Sequence, residues 1–132
     1  MELSKAGGIS QIEQVKSTGF SLRPRLRVEK GKEIALGPGK VELLEQIAET
    51  GSIAEAAERM EMSYMRAWKL VKTMEACFRE PLVEARRGGS TQGGAKLTKA
   101  GAEVLKLYRR MDKDCKRATK QAWGELRTLL KK

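Results

Sequence analysis

SIAEAAERMEMSYMRAWKLVKTME, residues 52–75, sets two helical patterns only a few residues apart, with Arg66, Lys69 and Lys72 along the second. Ser52-Ile53-Ala54-Glu55 reads as a capping box, in which the Ser side chain takes an amide at the third helical residue and Glu55 reaches back to the cap's own amide. This predicts a short helix running to about Met60. Ser63 can cap a further helix whose inner stripe is Ala67, Leu70, Val71, Met74 and Phe78, and which must stop near Pro81. The small pair Ala56-Ala57 lets the two helices approach closely. A turn of about four residues then sets the second steeply across the first, the arrangement that fits a helix into the major groove of DNA.

The neighbouring segments extend this unit in both directions. GPGKVELLEQIAETG, residues 37–51, places Val41, Leu44, Ile47 and Ala48 at helical spacing between glycines, and predicts an amphipathic helix. Before it, SLRPRLRVEKGKEIAL alternates. Arg23, Arg25 and Arg27 point one way and Leu22, Leu26 and Val28 largely the other. Lys30-Gly31-Lys32 supplies a turn, Ile34 and Leu36 continue a second strand, and Pro24, lacking an amide donor, belongs at the edge of this hairpin. Residues 1–20 are polar and read as a loosely held arm.

Downstream, Leu82-Val83-Glu84 and Ala95-Lys96-Leu97 are strand-like runs around a segment holding four glycines and the pair Arg86-Arg87. Thr98 then caps a long helix. On it Val104, Leu105, Tyr108, Met111, Cys115, Ala118, Ala122, Leu126 and Leu129 recur at threes and fours. So long a stripe needs a cover that a small domain does not supply, and a second subunit is the natural one. The order hairpin, helix, helix, turn, helix, Gly-rich hairpin, helix is that of a mainly α (α+β) winged helix-turn-helix. It divides into an arm (1–20), a DNA-binding domain (21–97) and a long linker and dimerisation helix (98–132).

Composition agrees. The 132 residues carry 27 Lys and Arg against 17 Asp and Glu, a formal charge of +10. Residues 1–62 hold 9 basic and 10 acidic side chains, residues 63–99 hold 8 and 3, and residues 100–132 hold 10 and 4. The positive charge therefore begins at the second helix of the pair, as expected of a surface meant for a polyanion. The sequence contains no histidine, and Cys77 and Cys115 stand far apart, so the usual zinc sets and His-based acid–base or nucleophilic catalysis are excluded. The two thiols read as reduced core or interface filling rather than redox chemistry. The glycines at 88, 89, 93 and 94 lack the GK[ST] ending of a phosphate cradle. Neither a membrane span nor a secretory leader is apparent, and a soluble, cytoplasmic protein that is not an enzyme and holds no cofactor or metal is expected.

Residues 37–111 resemble the N-terminal domain of the molybdate-dependent transcriptional regulators (ModE type), itself similar to the DNA-binding domain of LysR-type regulators. GSIAEAAERMEMSYMRAWKLVKTME resembles that family's helix-turn-helix, and LVEARRGGSTQGGAKLTKAGAEVLKLY its wing and the start of its linker helix. The strings SYxxAW and LVE…GG…GG…LTxxG carry the likeness. It implies a bacterial transcription regulator of molybdenum homeostasis. Full-length members bind molybdate in β-rich domains after the linker helix, which are missing before Lys132, so molybdate binding is not expected. One departure is Glu61, at the turn position that the family usually gives to Gly; a positive φ there costs a side chain about 1 kcal/mol.

The expected DNA contacts are Ser63 (cap and phosphate), Tyr64, Met65, Arg66 and Lys69 (groove and base edges), and Lys72, Arg86, Arg87 and Lys96 (phosphate). Trp68 is expected to pack rather than to touch bases. The reading is a homodimeric, sequence-specific regulator on a palindromic duplex. Its competitors are an architectural nucleic-acid-binding protein and a module that pairs with full-length regulators.

Overall fold

The computed structural model describes residues 19–86 and 94–132. The described elements are β1 (Val28–Lys30), β2 (Glu33–Leu36), α1 (Pro38–Thr50), α2 (Ile53–Arg59), α3 (Tyr64–Glu75), β3 (Val83–Arg86), β4 (Gly94–Leu97) and α4 (Lys99–Arg127). They form two antiparallel hairpins and four helices in the order of a winged helix-turn-helix. Contacts divide the chain into a unit of Arg25–Asp112 and a second that includes Lys113–Lys132 and residues 19–24.

The first hairpin is shorter than the alternation predicts. β1 pairs with β2 through Lys30↔Glu33, Glu29↔Ile34 and Val28↔Leu36, with a bulge between Val28 and Glu29. The turn closes on Gly31 at φ 61°. Residues 22–27 are not strand because their partner runs out: the chain past Leu36 turns into α1 at Pro38. Proline suits that first helical position, where its missing amide costs nothing.

α1 buries Val41, Leu43, Leu44 and Ile47 and leaves the predicted stripe residue Ala48 exposed. It ends at Gly51, whose φ of 72° lets its amide close on Ile47 O. At α2 the Ser52 hydroxyl accepts from the Glu55 amide at 3.1 Å as predicted. The reciprocal half of the capping box is replaced, because Thr50 Oγ1 takes the Ser52 amide at 3.2 Å. Ala56 and Ala57 are buried where α2 meets α3. The turn between them passes through Glu61 at φ 56°, the only positive-φ residue other than glycine among those described.

Ser63 caps α3, accepting from the Arg66 amide at 3.1 Å. Ala67, Val71 and Met74 face the core, with Leu70 and Phe78 partly covered. α3 stops at Glu75, six residues before Pro81, where the backbone tightens into three-residue turns at Cys77 and Phe78. Proline is therefore not what ends it.

The core gathers Leu36, α1, α2, the inner face of α3, Leu82, Val83 and Ala95, and it includes the first turns of α4. Here the dimerisation stripe needs correction. Leu105 and Tyr108 are 5% and 6% exposed and Val104 packs against the same cluster, so these three belong to the domain's own core. Tyr108 also donates its hydroxyl to Leu26 O at 2.9 Å, pinning the segment ahead of β1. Further along α4, Met111 and Leu126 are exposed at 42% and 51%, Ala118 and Ala122 are exposed and Cys115 is half-buried.

Candidate nucleic-acid interface

Because α3 commits Ala67, Val71 and Met74 to the core, helical periodicity turns Tyr64, Met65, Arg66, Trp68, Lys69 and Lys72 outward, and all six are exposed. Ser63 is exposed at the head of the same helix. The residues expected to face DNA from α3 therefore share one open side of it. Trp68, expected to pack, instead joins them at 40% exposure. The Lys72 ammonium sits 5.4 Å from the centre of its ring, within cation–π reach.

The wing is held at its root by hydrogen bonds through three residues, Glu75, Thr98 and Ala95. Glu75, the last residue of α3, accepts from the amides of Leu82 and Val83 through one carboxylate oxygen, Oε2, at 2.8 Å each. Its other oxygen lies 3.7 Å from Lys72 Nζ, and the side chain is 13% exposed. Thr98 accepts the Gly101 amide at 3.0 Å while donating its hydroxyl to Pro81 O at 2.6 Å, and its own amide reaches Leu82 O at 2.9 Å. The Ala95 amide donates to Gly51 O at 2.9 Å, tying β4 to the end of α1.

Gly101 is required by this root. A Cβ at that position would stand 2.1 Å from Leu82 O, so only glycine admits α4 this close to the strand. The Glu75 clamp had no signature in the sequence. Its two amides lie seven and eight residues downstream, beyond any local capping pattern, and only the tertiary return of the chain brings them to the carboxylate.

β3 and β4 pair through Val83↔Leu97, Glu84↔Lys96, Ala85↔Ala95 and Arg86↔Gly94. Lys96 is exposed, as a phosphate contact requires, but it stands directly across the ladder from Glu84, an opposite charge. Arg86 closes β3; Arg87, Gly88, Gly89 and Gly93 lie outside the described residues. Arg59 on α2 is occupied by Glu49 at 2.6 Å, and Arg109 on α4 by Glu45 at 3.2 Å. Cations on the open side of α3 are thus Arg66, Lys69 and Lys72, the last shared with Glu75. An exposed helix with positive charge, polar tips and apolar surface, beside an anchored hairpin, can meet phosphates and base edges together.

Comparison with known proteins places this geometry. Residues 39–102 match the model of the bacterial regulatory helix-turn-helix protein, lysR family. The chain is 44% identical over 70 residues to the molybdenum-pterin-binding protein MopA of Rhodobacter capsulatus, a match of 53% of this chain and 26% of that one. It is 41% identical over 71 residues to the transcriptional regulator ModE of Yersinia pestis, covering 54% and 27%. The chain thus spans about a quarter of the length of these relatives. Among solved structures, the CbnR_DBD–DNA complex superimposes with a TM-score of 0.52 at 25% identity, over 67% of this chain and 95% of that one.

Proposed function

With residues 39–102 a helix-turn-helix domain of the bacterial LysR regulatory family, we propose that this chain is a transcription regulator that binds duplex DNA sequence-specifically through α3 and the wing. The carrying observation is the open side of α3. Ser63, Tyr64, Met65, Arg66, Lys69 and Lys72 lie exposed on the helix that such a domain presents to the major groove. Arg66 and Lys69 reach base edges, and Lys72, Arg86, Arg87 and Lys96 meet phosphate. The formal charge of +10 supplies long-range attraction to the polyanion.

The chain acts as a homodimer on a palindromic site. Supporting this is the stripe of Met111, Ala118, Ala122 and Leu126, which stays exposed on α4 after its first turns have joined the domain core. A two-fold pairing would cover it in both copies and present two recognition helices to half-sites about one helical turn, or a multiple of it, apart.

Selection from random duplexes, followed by competition in a mobility-shift assay, tests the specificity. A selected duplex should outcompete its scrambled counterpart. Equal competition would identify instead an architectural protein that binds by charge alone. Light scattering tests the assembly: the intact chain should have the mass of a dimer and Leu126→Glu that of a monomer.

A further inference from the structure

We infer that Tyr64, Met65 and Trp68 form an apolar reader of thymine 5-methyl groups, so that each half-site is defined at one or two positions by thymine. The inference rests on the DNA-binding reading above and deepens it. These three side chains are 49%, 64% and 40% exposed, and they fall within five consecutive residues of α3. Helix α3 already supplies Ala67, Val71 and Met74 to the core, so they are not core residues left partly covered. A run of large apolar side chains at one place on a soluble domain marks a surface that is buried by a partner.

The chemistry of that partner is narrowed by what surrounds the run. Arg66, Lys69 and Lys72 interleave with it on the same open side, and one of them stands over the Trp68 ring. An apolar patch threaded with cations matches a surface whose floor is partly apolar and whose walls are phosphate. The major groove is such a surface, and among unmodified bases its apolar feature is the methyl group at C5 of thymine. Met65 decides the point. Its thioether is only a weak acceptor and cannot donate, so in a groove it can recognise shape and apolarity but not a hydrogen-bonding edge. It sits in the first turn of α3, where recognition helices approach bases most closely. Tyr64 and Trp68 flank it one residue before and three after, and close the methyl off from water.

The test uses the full chain and a duplex enriched from a random library. Each thymine is replaced in turn by deoxyuridine, which lacks only the 5-methyl group. Replacement at one or two positions per half-site should weaken binding about fourfold each, the equilibrium equivalent of about one buried methylene. Met65→Ala, an exposed change that leaves the core untouched, should bind the thymine and uracil duplexes equally. The inference is overturned if uracil is tolerated everywhere by the unaltered protein, or if the thymine preference survives intact in Met65→Ala. If no duplex is enriched at all, the sequence-specific reading falls, and this one with it. Enrichment without a uracil effect removes only the methyl reader.

Discussion

Gly101 and Gly124 lie on the same helix, α4, yet alanine should act on them with opposite sign. At Gly101 the added Cβ would meet Leu82 O at 2.1 Å, Leu82 C at 3.0 Å and Leu82 Cα at 3.3 Å, all backbone atoms. An ordinary contact needs about 1 Å more, and neither side yields easily. Leu82 is fully buried, its amide is held by Glu75, and its carbonyl accepts from Thr98. α4 is fixed in turn by Leu105 and Tyr108 in the core. A shift of 1 Å would stretch the two bonds from Thr98 to Pro81 O and Leu82 O beyond useful length, at about 1 kcal/mol each. Overpacking strain of about 1–3 kcal/mol adds to that, for a total of about 4 kcal/mol. At Gly124 nothing lies within 4 Å of the Cβ, and alanine should stabilise the helix by up to about 1 kcal/mol. Urea unfolding followed by circular dichroism measures both. A Gly101→Ala loss below about 1 kcal/mol would mean that the root of the wing is compliant, and the reasoning from backbone contact would be refuted.

Three further changes test other joints. Glu75→Ala strands two amides at the buried start of β3 and should cost about 2–4 kcal/mol, whereas Glu75→Gln keeps an acceptor oxygen and should cost about half as much; equal losses in urea unfolding would sink the hydrogen-bond account. Glu61→Gly should stabilise the domain by about 0.5–1 kcal/mol, the relief of a positive φ less the added freedom of the unfolded glycine; a lower melting temperature contradicts this. Tyr108 is pushed up from its ordinary value by burial first and by Asp112 and Glu45 next, with Arg25 opposing. The folded domain therefore keeps that proton after the unfolded chain has lost it, and stability should fall as pH rises through about 10. Tyr108→Phe should make the urea midpoint less steep in pH over that range, and an unchanged slope argues against the assignment.

The helical elements were readable in the sequence because each carried its own local signal. Ser52 and Ser63 cap through side chains placed next to the amides that they satisfy, and α3's buried stripe follows from spacing alone. The extent of the first hairpin was not readable, since alternation in residues 22–27 persists where no partner strand remains. The long apolar stripe of α4 misled for a related reason. Periodicity tells which residues share a face but not what covers it, and its first three members turned out to lie against α4's own domain. For the site, charge and helical phase located the open side of α3. They did not find the Glu75 clamp, which depends on how a distant segment returns; Trp68 was expected to pack, although its helical phase already turned it outward.

That clamp also sets the electrostatic character of the recognition face. One oxygen of Glu75 holds the wing; the other lies 3.7 Å from Lys72 Nζ. A lysine already facing a carboxylate releases fewer condensed counterions from DNA when it binds a phosphate, so it contributes less than a full unit to the dependence of affinity on salt. The carboxylate thereby couples two quantities that would otherwise vary independently: rigidity of the wing and indiscriminate attraction to any duplex. Removing its charge while keeping its shape should loosen the first and strengthen the second, steepening the salt dependence by up to about 0.9 log units per decade. A regulator that must leave wrong sequences quickly is served by a cation held partly in check, and here the check is the same atom group that builds the wing.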